Sequence, residues 1–214
     1  MTVDRARLRL HVLTDRIAAV ARSDEEIARA ALAGGATVIQ LRGKSLSGAE
    51  LARLGRALRQ ITREAGALLI VNDRVDVAMA IDADGVHLGQ DDLPAEDARR
   101  LLGPRRILGL SASTIPEAVQ AAAAGADYIG FGPVFATGSK PDARAPTGLA
   151  LLRQAAKAVG VPIVAIGGID MDSAGAVMET GVAGVAVIAA VVGTPDVEEA
   201  ARLLRQRLEK GNHS

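Results

Sequence analysis

Short apolar runs of strand length alternate along the chain with longer segments whose apolar residues recur at helical spacing. The eight strand-like runs are 8–13, 36–41, 67–71, 85–88, 106–110, 127–131, 161–166 and 184–188. Helix-start signals follow them, such as the acidic turn beginning at Asp24 and the capping residue Ser47. This alternation predicts a single-domain α/β protein, a (βα)₈ TIM barrel over residues 1–210, with a loose C-terminal tail at 211–214.

A weak internal repeat supports the count of eight units. The segments beginning at Gly35, Gly125 and Gly181 each combine a helix stop with the start of the next strand. Units of about 25 residues fit a closed barrel better than an open sheet, which seldom holds so many parallel strands in a chain of this length.

Composition narrows the classes of function. Lys plus Arg and Asp plus Glu both number 25, so no overall field favours nucleic acid or a membrane surface. Cysteine is absent, which excludes disulfides and thiolate chemistry. The start of the chain lacks a signal-peptide core, and the apolar stretch 182–192 is shorter than the ~20 residues of a membrane helix. We therefore expect a cytoplasmic protein whose partners are small molecules, with no nucleic acid and no membrane.

In a barrel, the residues that follow the strands share one rim, where active sites are built. The rim residues expected here are Thr14, Asp15, Gln40, Arg42, Lys44, Asn72, Asp73, Gln90, Asp91, Asp92, Ser111, Ser113, Thr137, Ser139, Lys140, Gly167, Gly168 and Ala189. Most of them are of phosphate-binding or metal-binding types.

Acidic and amide side chains end two consecutive strands. Asn72 and Asp73 follow the third strand, and Gln90, Asp91 and Asp92 follow the fourth. If the strands are neighbours, Asp73 and Asp91 or Asp92 reach the same edge and form an oxygen site for Mg²⁺ that suits a diphosphate. In the alternative interpretation, Asp73 caps the next helix, and Asp91 and Asp92 form a polar turn.

Three further segments are candidate anion sites. Gly167-Gly168 follows the seventh strand and the eighth exits at Ile188-Ala189, the two loops where barrels usually hold a phosphate. Arg42 and Lys44 follow the second strand, where a planar guanidinium group and an ammonium group can bind an anion together. The loop at 135–141, with Lys140, resembles a lid over an anion. Each has a structural alternative, namely an ordinary turn, solvated charges or a surface loop.

The histidines give little support for covalent or metal chemistry. His87 and His11 lie within strand-like runs and are expected to be hydrogen-bonded core or rim residues, and His213 is in the tail. No Ser-His-Asp or His-x-x-x-His pattern occurs, so covalent nucleophilic catalysis is not supported.

At these rim residues the chain resembles the thiamine-phosphate synthase family over nearly its whole length. The motifs that carry the resemblance are Gln40-Leu41-Arg42-Gly43-Lys44, Asn72-Asp73-Arg74-Val75-Asp76, Asp84-Gly85-Val86-His87-Leu88-Gly89-Gln90-Asp91-Asp92, Gly130-Phe131-Gly132-Pro133-Val134-Phe135 and Ala165-Ile166-Gly167-Gly168-Ile169. The resemblance implies a (βα)₈ barrel that joins a pyrimidine diphosphate to a thiazole phosphate and releases diphosphate with magnesium as cofactor.

The resemblance also implies a role for each matching residue. The pyrimidine diphosphate would be bound by Gln40, Leu41, Arg42, Gly43, Lys44, Asn72, Ser111 and Lys140, of which Arg42, Lys44, Ser111 and Lys140 would be catalytic. The thiazole phosphate would be bound by Thr137, Gly138, Ser139, Gly168, Ile188 and Ala189. Asp73 and Asp92 would hold Mg²⁺.

Three positions depart from the family pattern: Ser139 replaces a usual Thr, Ala189 a common Ser, and Ser113 a frequent His. A thiazole tautomerase of the same superfamily is the nearest rival, although the His typical of its fifth strand is missing while Asp73 and Asp92 are retained. A non-catalytic thiamine-phosphate-binding barrel is the second rival. The partners expected are the two small-molecule substrates, and a homo-oligomer is possible.

Overall fold

The computed structural model describes residues 3–15, 18–19, 22–138 and 144–210. Eight parallel strands close into one barrel in sequence order, each pairing with the next and β8 with β1. The strands are β1 (Leu10–Leu13), β2 (Val38–Leu41), β3 (Leu68–Asn72), β4 (Gly85–Leu88), β5 (Ile107–Ala112), β6 (Tyr128–Phe131), β7 (Ile163–Ile166) and β8 (Gly184–Val187). The predicted (βα)₈ barrel is thus confirmed.

Helices follow the strands on the outside of the barrel. They are α1 (Asp24–Ala33), α2 (Gly48–Glu64), α3 (Val75–Ala80), α4 (Ala95–Leu102), α5 (Ile115–Ala123), α6 (Gly148–Ala158), α7 (Ala174–Met178), the short α8 (Ala189–Val192) and α9 (Val197–Lys210). A 3₁₀ turn, Arg5–Leu8, precedes β1. No helix in the described ranges has the combination of length and hydrophobicity that crossing a membrane requires.

The alternation of side chains along each strand builds two separate apolar layers. Outward residues such as Val12 and Ile39 pack against the helices, whereas inward residues such as Val38, Ile70 and Tyr128 fill the barrel. With one tyrosine and two phenylalanines in the chain, both layers are mainly aliphatic. The inward positions near the ends of β2, β3, β4 and β5 carry the polar side chains Gln40, Asn72, His87 and Ser111, whereas those of β1, β7 and β8 are apolar.

Local capping explains where the two longest helices of the first half begin. Ser23 and Ser47 each accept a hydrogen bond from the backbone three residues on, and Glu26 and Glu50 bond back to the cap residue. These reciprocal capping boxes satisfy amide groups that a helix start leaves without partners. The cap predicted at Ser47 is confirmed.

Several predicted strand boundaries were wrong by a few residues, with consequences for the mouth. Leu8 belongs to the 3₁₀ turn and not to β1. Ser111 lies inside β5, which continues to Ala112, and Asn72 is the last residue of β3. Both polar residues are therefore part of the rigid sheet.

Two acidic residues tie the opposite, N-terminal end of the barrel together. Asp84 accepts hydrogen bonds from the Leu69 N–H at 2.8 Å and from Arg59 Nη1 at 2.7 Å. Asp127 repeats the arrangement with the Leu108 N–H at 2.9 Å and Arg99 Nη2 at 2.6 Å. Each carboxylate thus joins a helix to two neighbouring strands.

We predict that Asp84→Ala lowers the free energy of unfolding by about 2–4 kcal/mol, because it leaves the partly buried Arg59 and a strand amide without their acceptor. Urea denaturation measures this loss. The matched control is Glu64→Ala, which removes an exposed ion pair with Arg29 at 3.7 Å and should cost at most about 1 kcal/mol. Equal losses in the two variants would contradict the structural role of Asp84.

Candidate active site

Asp73 and Asp92, from the ends of β3 and β4, meet at the mouth of the barrel. Asp73 has a left-handed backbone with φ 65°, and its N–H donates to the His87 carbonyl at 2.8 Å. Asp92 accepts a hydrogen bond from the Gly89 N–H at 2.6 Å. The two carboxyl groups lie within hydrogen-bonding reach of each other. Asp73 does not cap the next helix, because the cap position of α3 is Arg74.

The electrostatics of this pair are unfavourable without a cation. Burial, followed by the negative charge of Asp92 and a hydrogen bond with it, raises the pKa of Asp73 to about 6. The positive charges of Lys44 and Arg42 act in the opposite direction, which shows that both cations lie near the pair. The mouth therefore brings together the acidic and basic residues of three consecutive strands.

The donor set at this edge fits magnesium. Mg²⁺ is usually held by one or two carboxylates and completes its coordination with water and substrate phosphates. In the described part of the chain, no group of three or more His, Cys, Asp or Glu side chains is placed to hold a metal. Two carboxylates beside two cations match an ion that is shared with a phosphorylated ligand.

Arg42 is held in place by residues at the end of β1. Its Nη1 donates to Asp15 Oδ2 at 2.6 Å, with side-chain exposures of 16% and 8% for the two residues. Thr14 Oγ1 accepts from the Arg42 N–H at 3.0 Å and donates to the Arg42 carbonyl at 3.1 Å. Sequence reasoning placed Thr14 and Asp15 on the rim but missed that they orient Arg42. The exposed Lys44 follows two residues later.

Ser111 is connected to two aromatic side chains inside the barrel. His87 Nε2 lies 2.9 Å from Ser111 Oγ, and His87 Nδ1 lies 2.9 Å from the Tyr128 hydroxyl. Burial lowers the pKa of His87 to about 4, so the ring is neutral at pH 7. The prediction that His87 is a hydrogen-bonded core or rim residue is confirmed. His11 is a buried core residue, as predicted: burial lowers its pKa to about 3, and a hydrogen bond with the Leu8 backbone acts in the opposite direction.

The glycine pair after β7 is required by close backbone packing. A side chain on Gly167 would approach Pro133 Cβ to 2.5 Å, and one on Gly168 would approach the Ala136 carbonyl oxygen to 2.4 Å. Both residues have positive φ angles, 98° and 66°. The Phe135 N–H donates to the Gly167 carbonyl at 3.0 Å. The turn therefore fixes the first part of the loop after β6 against the end of β7.

The remaining predicted anion-binding residues follow β6 and β8. Thr137 is half-buried and Gly138 is exposed, directly after the segment that packs on Gly168. Ile188 precedes α8, and the exposed Ala189 is its first residue. Ser139 and Lys140 lie outside the described residues. Because β6, β7 and β8 are neighbours, the described members of this set occupy one arc of the rim.

Ser113, which follows β5, is part of a hydrogen-bonded group at the start of α5. Ser113 Oγ accepts a hydrogen bond from Arg144 Nη1 at 2.5 Å, and the same nitrogen lies 2.6 Å from Glu117 Oε1. The Ser113 N–H donates to Glu117 Oε2 at 2.7 Å. Ser113 thus connects the start of α5 to the segment that leads into α6.

The remaining residues of the predicted pyrimidine site lie on the adjacent arc formed by β2 and β3. Gln40 is buried in β2 beside Ile70 of β3, and Leu41 faces outward into the layer under the helices. Gly43 packs near Leu46 and Leu51. Leu41 and Gly43 can therefore contact a ligand only through their backbone, whereas Gln40 and Asn72 belong to the inward face.

The fold and the rim define a (βα)₈ barrel protein with a cationic and a carboxylate arc at its mouth, suited to phosphorylated small molecules. The profile of the thiamine monophosphate synthase family matches residues 10–191. The thiamine-phosphate synthase of Moorella thermoacetica is 59% identical over 181 residues, covering 85% of this chain and 86% of that protein. That of Roseiflexus castenholzii is 54% identical over 195 residues, covering 91% and 86%.

A solved structure agrees with these sequence relatives. The thiamine phosphate pyrophosphorylase of Pyrococcus furiosus superposes with a TM-score of 0.91 at 47% identity, covering 97% of this chain and 98% of that one. The chain belongs to the thiamine-phosphate synthase family. It is accordingly an enzyme, a transferase of thiamine biosynthesis.

We predict that Asp73→Asn stabilises the metal-free protein at pH 7.5. Folding raises the pKa of Asp73, so the folded state is favoured while this carboxyl is protonated and loses that stability as the pH rises through about 6. At pH 7.5 the wild type is therefore destabilised by the charge on Asp73. After allowance for solvent screening, removal of the charge should raise the melting temperature by roughly 3–6 °C. The gain should be smaller at pH 5.

Thermal unfolding in EDTA at the two pH values measures this effect. The matched control is Asp91→Asn, which neutralises an exposed neighbouring carboxylate and should change the melting temperature by less than about 1 °C. An Asp73→Asn melting temperature at or below that of the wild type at pH 7.5 would show that the pair is not electrostatically strained.

Proposed function

We propose that the enzyme condenses 4-amino-2-methyl-5-(diphosphooxymethyl)pyrimidine with 4-methyl-5-(2-phosphoethyl)thiazole, carboxylated or not, to give thiamine phosphate and diphosphate, with loss of carbon dioxide where the thiazole is carboxylated. The observation that carries the proposal is the Asp73–Asp92 pair beside Arg42 and Lys44. A diphosphate with a divalent cation is the ligand that satisfies both charges of this arrangement. The names of the relatives agree with it.

The diphosphate is assigned to the arc formed by β2, β3 and β4. Arg42, oriented by Asp15, offers its planar guanidinium group to phosphate oxygens, and the exposed Lys44 offers an ammonium point charge. Asn72 and Gln40 reach the mouth from inward positions of their strands. Magnesium held by Asp73 and Asp92 would supply positive charge that offsets the charge of the departing diphosphate. Ser111, on the adjacent β5, lies next to this group.

The thiazole phosphate is assigned to the opposite arc, formed by β6, β7 and β8. Gly168, Thr137 to Ser139 and Ile188-Ala189 would bind it through hydroxyl and backbone N–H groups. Ala189 supplies no hydroxyl, so binding there depends on the backbone. With the phosphorylated ends on opposite arcs, the two rings face each other over the barrel centre, and this holds the thiazole nitrogen against the pyrimidine methylene carbon.

The chain's residues then favour a dissociative path. The bond between the methylene carbon and the diphosphate oxygen breaks, and its electron pair leaves with the diphosphate, whose charge Arg42, Lys44 and Lys140 stabilise. The electron-rich aminopyrimidine carries the resulting cation. The thiazole nitrogen donates its lone pair to the methylene carbon and forms the new bond. The protein supplies positioning and electrostatic stabilisation, without a covalent nucleophile.

The rival activities differ in the substrates they need. A thiazole tautomerase would convert a thiazole phosphate alone, and a binding protein would convert nothing. The Asp73–Asp92 pair, with Arg42 and Lys44 beside it, has no use in either. Incubation of the protein with each substrate singly and with both together, with and without Mg²⁺, distinguishes the three. We expect product only when both substrates and Mg²⁺ are present.

We predict that Asp92→Ala lowers the rate of thiamine phosphate formation by at least about 10²-fold, because it removes half of the protein's magnesium ligands. Circular dichroism should show an intact fold. The control Asp91→Ala changes an exposed neighbouring carboxylate and should keep the wild-type rate within about threefold. Turnover by Asp92→Ala near the wild-type rate would mean that this carboxylate does not bind the metal.

A second prediction concerns Lys140, whose role comes from the family resemblance. Lys140→Ala should lower the coupling rate on the order of 10²-fold, because the lysine stabilises charge on the leaving diphosphate. The affinity for thiazole phosphate alone, measured by calorimetry, should change little. The control is Lys157→Ala, an exposed lysine of α6. A parallel loss of rate and thiazole-phosphate affinity, or an unchanged rate, would assign Lys140 a different role.

A further inference from the structure

Three polar side chains form a continuous hydrogen-bonded file from the barrel interior to its mouth. Tyr128 of β6, His87 of β4 and Ser111 of β5 all occupy inward positions, since their neighbours along each strand pack in the outer layer. The Tyr128 hydroxyl lies 2.9 Å from His87 Nδ1, and His87 Nε2 lies 2.9 Å from Ser111 Oγ. Tyr128 is 1% exposed, whereas Ser111 is half-buried.

The direction of the first hydrogen bond follows from the burial of Tyr128. A buried hydroxyl needs an acceptor, and leaving its hydrogen without one is costly. In the described part of the chain its one hydrogen bond is to His87 Nδ1. His11 packs against the tyrosine ring with centroids 5.5 Å apart, but its nitrogens accept no hydrogen bond. Tyr128 is therefore the donor, and Nδ1 is the unprotonated acceptor.

The direction of the second hydrogen bond follows from the first. A neutral imidazole carries one ring proton, and with Nδ1 accepting, that proton is on Nε2. Nε2–H therefore donates to Ser111 Oγ. A serine oxygen that accepts from the interior turns its own O–H away from His87. The Ser111 hydroxyl is consequently a hydrogen-bond donor toward the mouth.

We propose that Tyr128 and His87 are positioning residues that fix the Ser111 hydroxyl as a donor to an oxygen of the diphosphate group. The identity of this ligand rests on the proposed function, whereas the directions of the bonds do not. A donor stabilises negative charge that develops on the departing oxygen. If both hydrogen bonds ran in the opposite direction, Ser111 would donate to His87 and direct an oxygen lone pair at the anion, which is repulsive.

Two glycines make room for this file. A Cβ on Gly109 would lie 2.3 Å from Tyr128 Cζ, and a Cβ on Gly130 would lie 2.8 Å from His87 Cε1. Neither glycine has a left-handed backbone, so space is the reason that the positions lack a side chain. The Tyr128 ring thus packs directly on the backbone of Gly109 in β5, and the His87 ring on that of Gly130 in β6.

Nitrogen NMR of the histidine rings tests the bond directions without any substrate. The chain has three histidines, and the signals of His87 are those that disappear in His87→Gln. We expect a neutral ring with Nε2 protonated and Nδ1 unprotonated. In Tyr128→Phe, the Nδ1 resonance should move toward that of an imidazole nitrogen without a hydrogen bond. A proton on Nδ1 in the wild type, or an Nδ1 resonance unchanged in Tyr128→Phe, would overturn the proposal.

Kinetics with two histidine replacements test whether the file acts through Ser111. The amide of His87→Gln reaches the Nε2 position and can donate to Ser111, whereas that of His87→Asn reaches only the Nδ1 position beside Tyr128. We expect His87→Gln to keep kcat within about threefold and His87→Asn to lose about tenfold, the worth of one neutral hydrogen bond. The loss should vanish when both are compared in a Ser111→Ala background.

A merely structural role gives a different pattern. If His87 only fills space, the two replacements lower kcat equally and the loss persists with Ser111→Ala, and that result would overturn the proposal. Ile107→Val, which removes a methyl group from the same interior cluster, controls for packing and should lower the melting temperature while leaving the His87 resonances in place. Absence of coupling activity in the wild type would instead refute the proposed function, and the NMR result would still decide the bond directions.

Discussion

Two carboxylates held within reach of each other at the mouth of a barrel are the constraint around which the site is built. Burial and mutual repulsion raise the pKa of Asp73 to about 6, and nearby cations only partly offset them. Such a pair persists because rigid neighbouring strands carry it and because Asp73 adopts a left-handed backbone that points its side chain at Asp92. A divalent cation between the two carboxylates would relieve this repulsion, and this is the physical basis of the magnesium site that we propose.

The order of the strands gives the two halves of the rim different chemistry. The β2–β4 arc has full charges, with Arg42 oriented by Asp15 and Lys44 exposed at the surface. The β6–β8 arc relies on small residues and backbone groups, with Gly167 and Gly168 allowing the loop after β6 to pack closely. Between them, β5 contributes Ser111, and the barrel interior connects that hydroxyl to His87 and Tyr128. A mainly apolar core thus contains one polar file that ends at the site.

Much of the fold could be predicted from the sequence because local signals determine it. Apolar runs, capping serines and helix-ending glycines marked eight units, and the closed barrel confirms them. Closure then places Asp73 and Asp92 together, since they follow consecutive strands. Strand ends were less predictable: polar Ser111 and Asn72 belong to the sheet because their neighbours supply the backbone hydrogen bonds. The interactions that depend on distant residues could not be predicted. Asp15, which follows β1, pairs with Arg42, which follows the neighbouring β2, and Ser113 bonds to Arg144, 31 positions further along the chain.

We propose that the Asp73–Asp92 pair and the adjacent cations bind a metal–diphosphate group. Crystals grown with Mn²⁺ in place of Mg²⁺ and with inorganic diphosphate test it most directly, because manganese is located by its anomalous scattering. We expect one anomalous peak within coordination distance of both carboxylates, with the diphosphate between the metal and Arg42 and Lys44. A metal bound elsewhere would contradict this proposal, and so would a diphosphate bound at the β6–β8 arc with no metal at Asp73 and Asp92.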